Sequence, residues 1–169
     1  MYEMAVVAGD LQIPFHNPRA VLTWLKFIEV NKDKITDIVL NGDILDFPYL
    51  SLKFLRDPAY RLRMQADITT FQALRDHIDY LVPKATKHYI MGNHEERWIR
   101  YVQSNADEIA WLLAKELSLA SILGVAGLPK WKTYSYGDGV DWHTPPCRFW
   151  HGQRFGGFRQ PFIFSLVTF

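Results

Sequence analysis

Seven polar residues of this chain have types and positions that could do chemistry together: Asp10 and Gln12, Asp43 and Asp46, Asn93 and His94, and His151. The first three pairs follow a short apolar run and a glycine, in Gly9-Asp10-Leu11-Gln12, Gly42-Asp43-Ile44-Leu45-Asp46 and Gly92-Asn93-His94-Glu95. Carboxylate oxygen, amide oxygen and imidazole nitrogen in one set suit a borderline divalent ion such as Mn²⁺, Fe²⁺ or Zn²⁺. An all-oxygen set would point to Mg²⁺ or Ca²⁺, and thiolates to structural zinc. A carboxylate also bridges two ions, and two ions about 3.5 to 4 Å apart clamp the attacking and leaving oxygens of an in-line displacement at phosphorus. Phosphoester hydrolysis is the leading chemistry for such a set. The plainer alternative is that these Asp, Asn and His residues cap turns after strands.

The elements that must position them follow from the apolar pattern. Residues 4 to 8, MAVVA, form a continuous apolar run ending at Gly9-Asp10, which reads as a strand buried on both faces. Asn17 is a good N-cap and Pro18 a good first helical residue, and Val21, Trp24, Leu25 and Ile28 continue a helical stripe to about Val30. A second buried strand, Ile35 to Leu40, stops at Asn41-Gly42-Asp43. Met64, Ile68, Phe71, Leu74, Ile78 and Leu81 are spaced 4, 3, 3, 4 and 3 apart, which predicts a long amphipathic helix from about Pro58 to Val82, ended by Pro83. His88 to Met91 is a third short strand, stopping at Gly92. Glu95 to Leu117 predicts one or two helices, Lys130 to Tyr136 a half-exposed strand, and Arg148 to Trp150 another before His151-Gly152. Alternating strands and helices imply an α/β fold with a largely parallel sheet. In such sheets ligands bind beyond the carboxyl ends of the strands, so Asp10, Asp43 and Asn93-His94 should converge on one edge.

In this order, the three glycine-led motifs resemble the first three motifs of the calcineurin-like metallophosphoesterases, over about residues 5 to 100. The resemblance implies a four-layer α/β/β/α sandwich and two divalent metal ions, Mn²⁺ first, with Fe²⁺ or Zn²⁺ as alternatives. Carried over by position, Asp10 and Gln12 would ligate the first metal, Asp43 would bridge both, and Asn93 and His151 would ligate the second. His94 would be the catalytic partner. The implied reaction is attack by a metal-bridging hydroxide on a phosphomonoester or phosphodiester, while protonated His94 steadies the developing charge or protonates the leaving oxygen. Asp46 would accept a hydrogen bond from His94 and hold its tautomer and charge. Glu95 is read as favouring the start of the following helix through its dipole.

Two departures bear on the metal set. The family's first motif usually reads Asp-x-His, where this chain has Gln12, and its late Gly-His-x-His motif has no counterpart, because no histidine follows His151. The chain therefore reads as a single domain over 1–169 with an incomplete second sheet, a family domain cut short, its apolar stretch from Gln160 to Phe169 showing neither helical nor alternating pattern. A catalytically impaired or inactive binding module on the same scaffold is the alternative to an active hydrolase.

Composition narrows the partners. Nineteen Lys and Arg against 18 Asp and Glu give a net charge of +1, so no basic field argues for nucleic acid. The phosphoester substrate is the expected partner. A single cysteine, Cys147, permits no internal disulfide, and no basic, apolar leader or span-length apolar run is present, so the cytoplasm is the expected address and no membrane partner is expected. Nothing in the pattern sets an oligomeric state, although an unpaired sheet edge and the apolar segment 162–169 would favour association. His77 and His88 read as structural, His16 as a loop residue, and His143 as a weak substitute ligand. Arg97 and Arg100, one turn apart after the third motif, read as solvated helix charges, with a phosphate-facing role as the alternative.

Overall fold

The computed structural model describes residues 4–51 and 63–135, with the backbone of 140–141, 148–149 and 163–167. Strand β1, Met4–Gly9, leads into α1, Pro18–Asn31, and β2, Ile35–Asn41. A short 3-10 turn at Pro48–Leu50 precedes α2, Met64–Leu81, and β3, Thr86–Ile90. Then come α3, Glu96–Asn105, a 3-10 segment over Asp107–Ala114, the short α4, Leu119–Ile122, and β4, Trp131–Tyr134. Two-residue strands β5, Val140–Asp141, and β6, Arg148–Phe149, pair antiparallel, and β7 spans Ile163–Val167.

The main sheet has the order β4-β3-β2-β1-β7, and every neighbouring pair is parallel. Helices alternating with the strands of a parallel sheet give the expected α/β fold. The register sets Val7 opposite Val39 and Ala8 opposite Leu40, so β1 and β2 end at the same level. Asn41 faces Ile90, which brings the end of β3 to that level too. The segment 163–167, whose unbroken apolar pattern predicts no particular element, lies beside β1 with Ala5 opposite Ile163. With it in place β1 is an interior strand.

Both sheet faces are covered, as the unalternating apolar runs require. Val6, Ala8, Ile38, Leu40 and Tyr89 form one core with Trp24 and Ile28 of α1 and Ile68, Phe71 and Ile78 of α2. Ala5, Val7, Val39 and Ile90 form a smaller cluster on the other face. Burying each large apolar side chain contributes roughly 1.5–3 kcal/mol. Phe71 anchors the helical side, edge-on to Tyr89 at a 5.4 Å centroid distance and to Trp131 at 6.5 Å.

The local signals hold at α1, where the Asn17 side chain accepts from the Arg19 and Ala20 amides at 3.0 and 3.3 Å. The helical stripe of α2 is buried from Ile68 to Ile78, while the predicted start at Pro58 lies outside the described residues. The stretch from 107 differs from a second amphipathic helix: it winds as 3-10 and buries none of its residues, leaving Ile109 and Trp111 exposed. Three residues per turn cannot keep 109, 112, 113 and 117 on one face. No helix among the described residues is long and apolar enough to cross a membrane.

Two buried polar groups complete the frame. Lys87 is fully buried, its Nζ donating to the Val82 carbonyl at 2.8 Å and pairing with Asp79 at 2.8 Å. On the opposite face His88 bridges Asp37, 2.9 Å from Nε2, and the Tyr134 hydroxyl, 3.1 Å from Nδ1, consistent with its structural reading.

Candidate active site

The carboxyl ends of β1, β2 and β3 are adjacent, and the turns after them stay knitted together beyond the sheet. The Asp10 amide donates to the Gly42 carbonyl at 3.0 Å, Gln12 to Asp43 at 2.9 Å, Ile13 to Ile44 at 2.8 Å, and Asp46 back to Ile13 at 3.0 Å. This ladder holds the first two motifs in register.

The same turns carry unusual backbone. Asp10, Gln12, Asp43 and Phe47 have φ of 53°, 52°, 51° and 46°. Left-handed φ is uncommon for residues with a Cβ, and such strain persists only where the surroundings hold it. Three of these four positions are ones singled out by the motifs. Phe47 is the exception, a fully buried core side chain set edge-on to Tyr49.

The third motif closes on the second. Gly92 lies so near Asp43 that an added Cβ would overlap the Asp43 carboxylate and backbone nitrogen, so only glycine fits. The His94 amide donates to Asp43 Oδ1 at 3.0 Å. Its ring stands between two carboxylates, with Nδ1 2.5 Å from Asp46 Oδ1 and Nε2 4.0 Å from Asp43 Oδ2. The Nδ1 contact is a close approach lying off the N–H direction, since this nitrogen makes no aligned hydrogen bond. Arg97 joins from α3, donating to the Asp46 carbonyl at 2.7 Å and lying 3.4 Å from its carboxylate.

Glu95 is buried completely, turned inward rather than capping α3. Oε1 accepts from the Ile44 and Leu45 amides at 2.7 and 2.9 Å and from the Tyr89 hydroxyl at 2.9 Å. Oε2 accepts from the Asp43 and Gly92 amides at 3.0 and 2.8 Å. The expected helix-dipole role is replaced by this one, because the side chain points away from the helix end. Burial pushes the Glu95 carboxyl above its usual range, opposed by the donating Leu45 and Gly92 amides and Tyr89 hydroxyl. Burial also drives the Tyr89 hydroxyl well up, with the Glu95 charge adding to it.

The structure thus brings Asp43, Asp46 and His94 into side-chain contact, with Asp10 and Gln12 half-buried and Asn93 exposed on the same edge. His151 and His143 lie outside the described residues. Arg97 and Glu95 are the additions. Arg97 read as a solvated charge or a phosphate-facing one, not as a partner of Asp46, and the Glu of the third motif carried no signal of its distant partners. Arg100 keeps the bland reading, in an exposed pair with Glu96.

Among the described residues no three His, Cys, Asp or Glu side chains gather as a metal-holding group. The donors on this edge are the Asp10 and Asp43 carboxylates and the Gln12 and Asn93 amides, an oxygen-rich set that fits hard to borderline divalent ions. No curated protein and no solved structure matches the chain. The sequence profile of the calcineurin-like phosphoesterases, however, matches residues 5–161, spanning all three strand-end motifs. With those motifs standing at the ends of three adjacent parallel strands, the chain belongs to the calcineurin-like phosphoesterase family.

Proposed function

We propose that this chain, as a single domain, hydrolyses a phosphomonoester or phosphodiester at a dinuclear divalent-metal centre. Asp10 and Gln12 would hold one ion, Asp43 would bridge, and Asn93 with His151 would hold the second, Mn²⁺ being the first choice and Fe²⁺ or Zn²⁺ alternatives. When bound, the ions supply charge neutralisation at the phosphoryl oxygens and a nucleophile at neutral pH. The remaining work falls to the chain. Asp46 orients the His94 ring from its Nδ1 side, so the proton offered to the leaving oxygen is the one on Nε2, the nitrogen facing Asp43. Arg97 holds Asp46 in place for that task.

The observation that supports this reading is the meeting of the Asp43, Asp46 and His94 side chains beyond the carboxyl ends of adjacent parallel strands, on the edge that also carries Asp10, Gln12 and Asn93. Its single cysteine suits a reducing compartment, and we assign it to the cytoplasm. A second reading, an inactive binding module on the same scaffold, is favoured by Gln12 at an imidazole position and by the lack of any histidine after His151 in the sequence.

The test is metal content by elemental mass spectrometry on chelator-free protein, beside Asp43→Asn, with Mn²⁺-supplemented hydrolysis of p-nitrophenyl phosphate and bis-p-nitrophenyl phosphate. Asparagine tolerates the left-handed backbone at 43, so the variant removes charge without adding strain. About two ions per chain, lost with turnover in the variant, is the expected result. Zero or one ion and no turnover would favour the binding module.

A further inference from the structure

We propose that Glu95 is a positioning residue: its buried carboxylate locks the turns after β2 and β3 together, so that Asp43 and His94 stand at preset separations before any substrate arrives. The proposal rests on the reading of Asp43 and His94 as site residues.

The geometry is specific to an anion with two acceptor oxygens. Three consecutive amides of the second motif, Asp43, Ile44 and Leu45, converge on it, together with the Gly92 amide from the third. Tyr89 at the end of β3 adds the fifth donor. Successive backbone N–H groups aimed at one point make an anion-binding concavity. Here the chain fills it with its own carboxylate. The Gly92 amide and the Asp43 amide share Oε2, which brings the two turns together across the gap that excludes any side chain at 92. His94, next to Glu95 in sequence, is thereby held where its amide meets Asp43 Oδ1 and its ring meets Asp46.

An isosteric amide cannot replace it. In Glu95→Gln the NH₂ group must face either the Ile44 and Leu45 amides or the Asp43 and Gly92 amides, setting buried donors against each other in both orientations. Glu95→Asp keeps both acceptor oxygens on a shorter stem.

The experiment compares full-length Glu95→Gln and Glu95→Asp with the unmodified chain by amide hydrogen exchange, Mn²⁺ titration and p-nitrophenyl phosphate kinetics. In Glu95→Gln the Asp43, Ile44, Leu45 and Gly92 amides should exchange at least about tenfold faster while interior amides of β1 and β2 keep their protection. Mn²⁺ should bind more weakly, and kcat should fall about a hundredfold with KM nearly unchanged, the signature of misplacement rather than lost substrate binding. Glu95→Asp should recover part of each loss. Unchanged exchange at the four amides overturns the proposal, as does a uniform rise across the sheet, no recovery in Glu95→Asp, or failure of both variants to fold. Exchange and Mn²⁺ binding are read without substrate. An unmodified chain with no turnover would therefore refute the proposed function while these two arms still judge Glu95.

Discussion

His94 has a carboxylate on each side, and the two contacts differ in distance. Asp46 lies against Nδ1 at 2.5 Å, and Nε2 is left facing Asp43 at 4.0 Å. If Nε2 carries the proton for the leaving oxygen, His94→Ala should lower kcat about 10²–10⁴-fold. The loss should be smaller for p-nitrophenyl phosphate than for phenyl phosphate, since nitrophenolate leaves with less help from a proton. Equal losses on both substrates would remove the acid role. Asp46→Asn should cost about 10–100-fold through a loosened ring. His16 offers a test away from the chemistry. Burial lowers its affinity for a proton, and its Nδ1 is buried without a partner. As the pH falls through about 6.5 the unfolded chain takes up a proton that the folded chain resists, so stability should drop with acidification in that window. His16→Gln should flatten this slope, as read from urea midpoints between about pH 5 and 7.5.

At the level of elements, the site is three turns held by rungs of backbone hydrogen bond and one buried carboxylate. The helices contribute stability and placement. Asn17→Ala, which removes two cap bonds at the start of α1, should lower unfolding free energy by about 1 kcal/mol without touching turnover. Gly92→Ala should do the reverse in emphasis, because the new methyl group collides with Asp43 itself. Loss of activity out of proportion to any fall in urea midpoint would be the expected pattern. The start of α1 and the body of α2 were legible beforehand, since a cap residue and a 3.6-residue period are local. The 3-10 winding of 107–114 was not, because its apolar residues fit a helical stripe on paper, yet none of them is fully buried in the folded chain. Glu95 was equally opaque, its partners at Asp43, Ile44 and Leu45 lying 50 to 52 residues away.

For the whole molecule the decisive feature is the strand order. β1 and β2 stand between β7 and β3, which places the first two motifs in the interior of the sheet edge rather than at its corner. Deleting 163–169 would turn β1 into an open edge with unpaired backbone groups. Concentration-dependent association, measured by light scattering, is expected for that deletion at protein concentrations where the full chain scatters less. The buried Lys87 belongs to this scale too. It joins the end of α2 to β3, and Asp79 that receives it also accepts from the Trp131 indole on β4, tying one helix to two strands.

By itself the sequence determined β1 to β4, α1 and the body of α2, the glycine-led turns after three strands, and the family those motifs mark, because each depends on neighbours within a few residues along the chain. Only the tertiary structure decided that Glu95 faces inward, that Arg97 serves Asp46, that His94 stands between Asp43 and Asp46, and that 163–167 shields β1. Those facts depend on which distant segments share a sheet level and a face. Contacts across some fifty residues are set by strand register and core packing, which no local pattern encodes.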